Sequence, residues 1–355
     1  MQPIQAADYS IVFNTTGYEY LNTHIKEGEY TQLYIIVDTN THEHCLSYFL
    51  SHIETELAIE VIEIEASEIY KTIDTCTGVW NALSELDADR KSLMLNLGGG
   101  VVTDLGGFVA STYKRGITYI NIPTSLLAMV DASVGGKTGV DLGVIKNQIG
   151  VINVGAMVLI DTQFLNTLPQ NQMRSGLAEM LKHGLIYDEA YWQQMTNLKA
   201  LTLDDLDALI HRSVVIKNNI VTEDPLENGL RKTLNYGHTL GHAIESYFLS
   251  HPEKDDLLHG EAIAIGMVLA TYISHKLLDF PEDKMHAIKA AILNTYNKVT
   301  FEDSDLEPII ELLKFDKKNS YGNINFVLLE DISKTKIDCQ VSNELILDSF
   351  KYYAS

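Results

Sequence analysis

The sequence predicts an α/β chain, with a parallel-sheet domain first and a mainly α-helical domain after it. Three observations carry this. Short β-branched runs alternate with stretches of helical period as far as residue 165. Beyond it, apolar residues recur at three- and four-residue spacing and β-branched runs become rare. The 355 residues suffice for two domains at ~100–200 residues each. The expected domains are 1–165 and 166–355, with the boundary near Asp161–Leu168 and a cleft between them.

Leu33-Tyr-Ile-Ile-Val37 reads as a strand ended by the turn residues Asp38-Thr-Asn40, and Val61-Ile-Glu-Ile64 as a second. Ser92-Leu-Met-Leu-Asn-Leu97 is a third, running straight into Gly98-Gly-Gly100. Thr118-Tyr-Ile-Asn-Ile122 is stopped by Pro123, and Ala156-Met-Val-Leu-Ile160 by Asp161. Segments 42–56, 68–86 and 102–113 between them have helical period, so βαβ units and a largely parallel sheet follow. In the second half, 171–187, 204–222, 228–249, 259–279 and 283–297 read as helices, and Ile324–Leu329 as a late strand. The first thirty residues give no usable pattern.

Hydrophobic residues make up 46% of the chain, an ordinary globular value. Lys and Arg number 26 against 48 Asp and Glu, a net charge of −22. So acidic a surface repels nucleic acid and anionic membrane, and neither is an expected partner. Three separated cysteines, Cys45, Cys76 and Cys339, provide neither a disulfide framework nor a thiolate metal site. The N-terminus lacks a signal-peptide pattern, and no run of ~18 uncharged apolar residues occurs. A cytoplasmic protein is the expectation.

The first chemical motif is Asn96–Phe108, in which a strand feeds three glycines and a helix begins. Glycines let backbone N–H groups approach a pyrophosphate, and the helix turns its positive end towards it. The spacing is not G-x-G-x-x-G, so a variant dinucleotide site and a plain tight turn with Asp104 exposed both remain open. Asp38 suits adenine-ribose hydroxyls or a turn equally well. The second motif, Asp131–Asp141 followed by Lys146-Asn147, contains Gly136-Lys137-Thr138 but has Asp131 where a Walker A loop needs Gly. A loop for a smaller phosphate or a sugar phosphate fits better. Ten of the 26 basic residues lie in or beside these polar segments: Lys114, Arg115, Lys137, Lys146, Lys182, Lys217, Arg231, Lys232, Lys317 and Lys318. Each alone reads as surface solvation; together they suggest a cationic pocket for phosphate and carboxylate groups.

His238 and His242 stand at i and i+4 on one helical face. His259 opens the next helix, and Glu179 lies in the helical Ser175–His183 segment. A Glu and two His with an open position suit a catalytic zinc, although an isolated pair at this spacing is more often structural.

Taken together, Gly98–Phe108, Ser111–Gly116, Pro123–Asp141 with Lys146-Asn147, Ser175–Gly184, Arg231–Glu245, His259–Met267 and Asp316-Lys317-Lys318 resemble the 3-dehydroquinate synthases of the sugar-phosphate cyclase superfamily. The motifs follow family order over residues 30–330. The resemblance implies an N-terminal Rossmann-like domain and a C-terminal α-helical domain, an active site in the interdomain cleft, and a homodimer. It implies Zn²⁺ or Co²⁺ on Glu179, His238 and His259, with His242 handling protons. It implies NAD on Gly99, Gly100, Val101 and Asp104, with Asp38 and Asn40 near the adenosine, Glu68 and Lys71 nearby, and Thr124, Ser125 and Thr167 bordering it. Asp131, Lys137, Asn147, Lys182, Lys217, Arg231 and Asn235 match substrate-contacting positions, as does Lys146. Arg115 matches an arginine directed at a neighbouring subunit, and one of Lys317 and Lys318 would close over the substrate.

The implied reaction converts 3-deoxy-D-arabino-heptulosonate 7-phosphate into 3-dehydroquinate and phosphate, a step of the shikimate pathway to chorismate and the aromatic amino acids. It passes through transient oxidation by NAD, phosphate β-elimination, re-reduction and intramolecular aldol closure. The chain departs from the family pattern at Glu65–Tyr70, where the family has Pro and Gly ahead of the Glu. The rival readings are a cyclase for sedoheptulose 7-phosphate or a hexose phosphate, a metal-dependent alcohol or polyol dehydrogenase on the same fold, and a non-catalytic binding protein.

Overall fold

The runs at 33–37, 92–97 and 118–122 become strands buried on both faces, as a helix-covered parallel sheet requires. The computed structural model describes residues 1–143, 145–196, 203–251, 253–255, 257–313 and 324–355. These divide into two units, Met1–Pro169 and Gln170–Ser355.

The first unit runs β1 (Ile4–Gln5), β2 (Ser10–Phe13), α1 (Asn14–Glu27), β3 (Leu33–Asp38), α2 (Thr39–Thr41), α3 (Ser47–Leu50), β4 (Ile59–Ile64), α4 (Ile73–Glu85), β5 (Leu93–Gly98), α5 (Gly100–Thr112), β6 (Thr118–Pro123), β7 (Lys137–Leu142), β8 (Ile145–Ile152) and β9 (Met157–Ile160). A seven-stranded sheet has the order β1-β2-β9-β6-β5-β3-β4, parallel except for β1 against β2. β7 and β8 form a separate antiparallel hairpin. Cys76, Val79 and Leu83 of α4 and Val102, Leu105 and Val109 of α5 share one core with Tyr34, Ile36 and Met94. Each large apolar side chain buried there contributes roughly 1.5–3 kcal/mol. From β3 the chain goes to β4 on one side and then to β5 on the other, so strand order reverses between β3 and β5. Ligands of open α/β sheets bind at the carboxyl ends of strands flanking such a point. Asp38 and Gly98-Gly99 stand at those two ends.

The second unit runs α6 (Gln170–Tyr187), α7 (Glu189–Met195), α8 (Leu203–Glu223), α9 (His238–Leu249), α10 (His259–Leu278), α11 (Glu282–Thr295), α12 (Asp303–Leu312), the antiparallel pair β10 (Asn325–Asp331) and β11 (Lys334–Gln340), and α13 (Asn343–Ala354). α10 is long and apolar enough to cross a membrane by length and composition, but 67% of its 18-residue apolar window is buried within the protein.

Three expected helices are shorter than the periodicity implied. In 68–86 a 3₁₀ turn, Glu68–Tyr70, precedes α4, which begins only at Ile73, where Thr72 Oγ1 accepts from Thr75 N at 3.2 Å and caps it. In 42–56 a π-helical turn, His42–Leu46, leads into α3, which stops at Leu50. There Ser51 Oγ and His52 Nδ1 bond back to the Tyr48 carbonyl at 2.7 and 2.9 Å and end the helix. In 228–249 a 3₁₀ turn, Leu230–Asn235, is separated from α9 by Tyr236 and Gly237, the latter at φ 77°. The N-terminal residues, patternless in sequence, supply β1, β2 and α1, and β2 pairs with β9 over Ser10–Phe13.

Candidate functional site

The glycine run after β5 separates into two kinds. A β-carbon at Gly98 would lie 2.5 Å from Val102, at Gly106 2.2 Å from Asn96 Oδ1 and at Gly107 2.5 Å from Thr138, so packing alone requires those three. At Gly99 the nearest atom would be Ser125 Oγ at 3.4 Å, and at Gly100 it would be Ala132 Cβ at 3.5 Å. Gly99 has an ordinary φ of −72°. Nothing in the fold demands glycine at these two positions. The open cradle, with the first-turn N–H groups of α5 above it, fits a dinucleotide pyrophosphate. Val101 follows in the same first turn.

The other dinucleotide candidates gather around this strand edge. Asp38 caps α2, its Oδ1 accepting from Thr41 N at 2.8 Å and Thr41 Oγ1 at 3.0 Å, and Asn40 is exposed beside it. Burial pushes the Cys45 thiol up to about 11, opposed by the hydroxyls of Thr167 and Thr124, with Asp38 adding a raising influence. Thr124 and Thr167 therefore lie beside one buried thiol, with Asp38 in its vicinity. Ser125 lies against Gly99.

Lys71 is 3% exposed and links two motifs. Its Nζ is 2.6 Å from Asp104 Oδ2, 2.6 Å from Asn147 Oδ1 and 4.0 Å from Glu68 Oε1. Its carbonyl accepts from Asp141 N at 2.9 Å, while Asp141 Oδ1 accepts from Asn147 N at 2.5 Å. Burial disfavours the ammonium, but Asp104 and Glu68 outweigh it and hold its pKa above the ordinary lysine value. Lys146 lies 3.7 Å from Glu68. The π-helical turn Ala128–Ala132 carries Asp131, and Lys137, exposed, opens β7 after Gly135 and Gly136 at φ 103° and 70°. Arg115 is exposed in a left-handed turn at φ 71°.

In the second unit, missing side chains allow three helices to approach backbone to backbone. A β-carbon at Gly266 would stand 2.0 Å from the Gly237 carbonyl, and one at Gly260 2.0 Å from the Ser175 carbonyl. Ser175 Oγ accepts from Gly260 N at 2.9 Å. α6, α9 and α10 thereby bring Glu179, His238 and His259 together. Nε2 of His238 lies 3.4 Å and Nε2 of His259 3.8 Å from Glu179 Oε1. The Nδ1 atoms face away from it, towards the Tyr236 carbonyl at 3.2 Å and Glu245 Oε2 at 3.1 Å. Nitrogens of His238, His242 and His259 come within 4.8 Å of one another.

Glu179 is fully buried, and neither of its oxygens has a hydrogen bond of normal geometry among the described residues. Its burial opposes ionisation, but Lys182, His238 and His259 hold the carboxyl well below the usual carboxylate range. A buried carboxylate facing two imidazole Nε2 atoms, each ring held from behind, fits a divalent zinc or cobalt ion. Lys182 pairs with Glu179 one turn along α6. Lys217 on α8 and Arg231 on the 3₁₀ turn are buried, and Asn235 closes that turn. Lys232 instead pairs with Asp338 at 2.9 Å on the surface and leaves the cationic set. Lys317 and Lys318 lie outside the described residues.

Models of the 3-dehydroquinate synthase N-terminal and C-terminal domains match residues 61–175 and 176–319. The chain belongs to the 3-dehydroquinate synthase family. The 3-dehydroquinate synthase of Parabacteroides distasonis is 42% identical over 92% of this chain and 92% of its own. That of Thermoanaerobacter pseudethanolicus is 37% identical over 97% of each. Among solved structures, a 2-deoxy-scyllo-inosose synthase complexed with carbaglucose-6-phosphate, NAD⁺ and Co²⁺ is similar at TM-score 0.85, with 25% identity over 99% of this chain and 100% of that one. The 2-epi-5-epi-valiolone synthase of Streptomyces hygroscopicus shares the fold at TM-score 0.82, with 24% identity over 100% and 99%.

Within this 3-dehydroquinate synthase chain, sequence reasoning passed over two acids. Glu245 follows His238 by seven residues on the same helical face, a spacing readable in advance. Glu227, at φ 61°, accepts from Asn235 Nδ2 at 2.8 Å. Its only sequence sign is the turn residues Pro225 and Asn228-Gly229 around it.

Proposed function

We propose that this chain converts 3-deoxy-D-arabino-heptulosonate 7-phosphate into 3-dehydroquinate and phosphate, as an NAD- and metal-dependent carbon–oxygen lyase. The observation that carries the reading is the convergence of the His238 and His259 Nε2 atoms on the buried Glu179 carboxylate. Family membership supplies the substrate.

Glu179, His238 and His259 hold the metal, and Gly99, Gly100, Val101, Asp104, Asp38, Asn40, Thr124, Ser125 and Thr167 hold the dinucleotide, with Glu68 and Lys71 behind it. When bound, the two groups supply acidification of a substrate hydroxyl and reversible hydride acceptance at its carbon. Asp38 has a role in each reading its sequence left open: Oδ1 caps α2, and Oδ2 remains for a ribose hydroxyl. Lys137, Lys146, Asn147 and Lys182 bind the phosphate and stabilise its charge as the C–O bond breaks. Lys217, Arg231 and Asn235 orient the substrate carboxylate, and burial of the two cations strengthens their attraction to it. Asp131 positions the sugar hydroxyls. His242, its ring 5.1 Å from that of His238, carries the proton of the reacting hydroxyl. Arg115 and one of Lys317 and Lys318 complete the anion site. The reading includes a homodimer, to which the exposed Arg115 contributes across the interface; light scattering checks it.

The test is simultaneous measurement of phosphate release and NADH absorbance with the heptulosonate phosphate, catalytic NAD⁺ and Zn²⁺. Phosphate far in excess of the NAD⁺ supplied, without net NADH, is the expected result. NADH rising with turnover would make the chain a dehydrogenase. Silence in both channels, followed by turnover of sedoheptulose 7-phosphate, would make it a sister cyclase.

A further inference from the structure

Glu245 lies on α9 and is only 6% exposed, so its carboxylate requires a partner. Its Oε2 meets Nδ1 of His259 at 3.1 Å, and the opposite nitrogen of that ring points at Glu179. An ionised carboxylate only accepts hydrogen bonds, so Nδ1 of a neutral His259 carries the hydrogen and Nε2 keeps its lone pair on the Glu179 side. His238 presents Nε2 to the same oxygen, but the acceptor behind it is the neutral Tyr236 carbonyl. The two rings are thus aimed alike and backed differently, one by a charge and one by a dipole.

We propose that Glu245 is a positioning residue, which fixes the tautomer and ring plane of His259 and makes it the stronger of the two imidazole donors to the metal. This rests on the reading of Glu179, His238 and His259 as the ligand set. Acceptors behind a metal-binding imidazole raise its basicity and hold its orientation, and losing one typically costs about 10–100-fold in metal affinity. A buried carboxylate supplies more of that effect than a carbonyl does.

The experiment titrates Zn²⁺ alone into metal-stripped full-length protein against a chromophoric chelator, for wild type, Glu245→Gln and His238→Ala. Cobalt(II) visible spectra are recorded on the same proteins. Glu245→Gln should bind zinc about 10–100-fold more weakly and shift the cobalt bands while its metal-free melting temperature stays near that of wild type. Zinc affinity within twofold of wild type, with His238→Ala losing zinc, would overturn the role of Glu245 and leave the ligand set standing. Zinc retained by His238→Ala at wild-type affinity would overturn the ligand set and this inference with it. Should Glu245→Gln fail to fold, nitrogen NMR of histidine-labelled, metal-free wild type decides: His259 protonated at Nδ1 is expected, and at Nε2 it refutes the proposal.

Discussion

The ammonium of Lys71 lies 2.6 Å from the carboxylate of Asp104, and it holds Asn147 at the same distance. One buried cation therefore ties the N-terminal half of α5 to the β7–β8 hairpin. Replacing Lys71 by Met leaves the Asp104 charge without its partner, at a cost of about 3 kcal/mol. NAD affinity should fall with it, and Zn²⁺ content should not. Urea unfolding and NAD titration check this; a stability loss under about 1 kcal/mol would show that the pair is not a structural tie.

The same pair sets a pH window. The folded-state pKa of Lys71 lies above its unfolded value, so its stabilisation is complete below about pH 10 and disappears as pH rises through the raised value. The gap between wild type and Lys71→Met should stay constant from about pH 7 to 10 and narrow above that. Unfolding curves across that range test it, and a gap already closing near neutrality would contradict the assignment.

Ser67 is held at φ 127° and ψ 152°, a region nearly reserved for glycine. It stands immediately ahead of Glu68, where the chain departs from its family's Pro and Gly. Ser67→Gly should raise stability by about 1 kcal/mol, the relieved strain exceeding the added chain entropy. A melting temperature unchanged or lowered would argue against strain at this position.

Two glycine substitutions should behave in opposite ways. Gly99→Ala meets only Ser125 Oγ at 3.4 Å, so melting should barely move while NAD binding weakens at least about tenfold through the blocked cradle. Gly260→Ala would drive a β-carbon to 2.0 Å from the Ser175 carbonyl, costing about 1–3 kcal/mol or more and loosening zinc as α6 and α10 separate. Differential scanning and isothermal titration on both variants make the comparison; NAD affinity unaltered in Gly99→Ala would remove the cradle.

Lys182 neutralises Glu179 where no metal does. Lys182→Met should cost the metal-free protein about 3 kcal/mol, and added Zn²⁺ should restore most of it. Equal losses with and without Zn²⁺ would separate the lysine from the metal site.

The parallel sheet was legible because its strands are continuous apolar runs, a pattern only burial on both faces tolerates. The helices at 42–56 and 228–249 were overread for lack of a local clue: periodicity continues through Ser51-His52 and Tyr236-Gly237, and only the side-chain bonds to Tyr48 and the left-handed Gly237 break it. β2 was missed because four residues are too few to show alternation, and its partner β9 is more than a hundred residues away. Among site residues, His238 and His242 announce themselves by their i, i+4 spacing, and Glu179 and His259 enter the ligand set through the resemblance of the motifs around them. The clamp of Lys71 does not, since its meaning lies in what it touches rather than in the residues flanking it.

The placement of charge has a kinetic consequence. The chain's net charge is −22 while Lys182, Lys217 and Arg231 are buried, so a sugar phosphate that also carries a carboxylate is repelled at long range and captured only at short range. Dissolved salt shortens the reach of the outer repulsion far more than that of the enclosed cations. Association should therefore quicken as ionic strength first rises, the reverse of an electrostatically steered encounter.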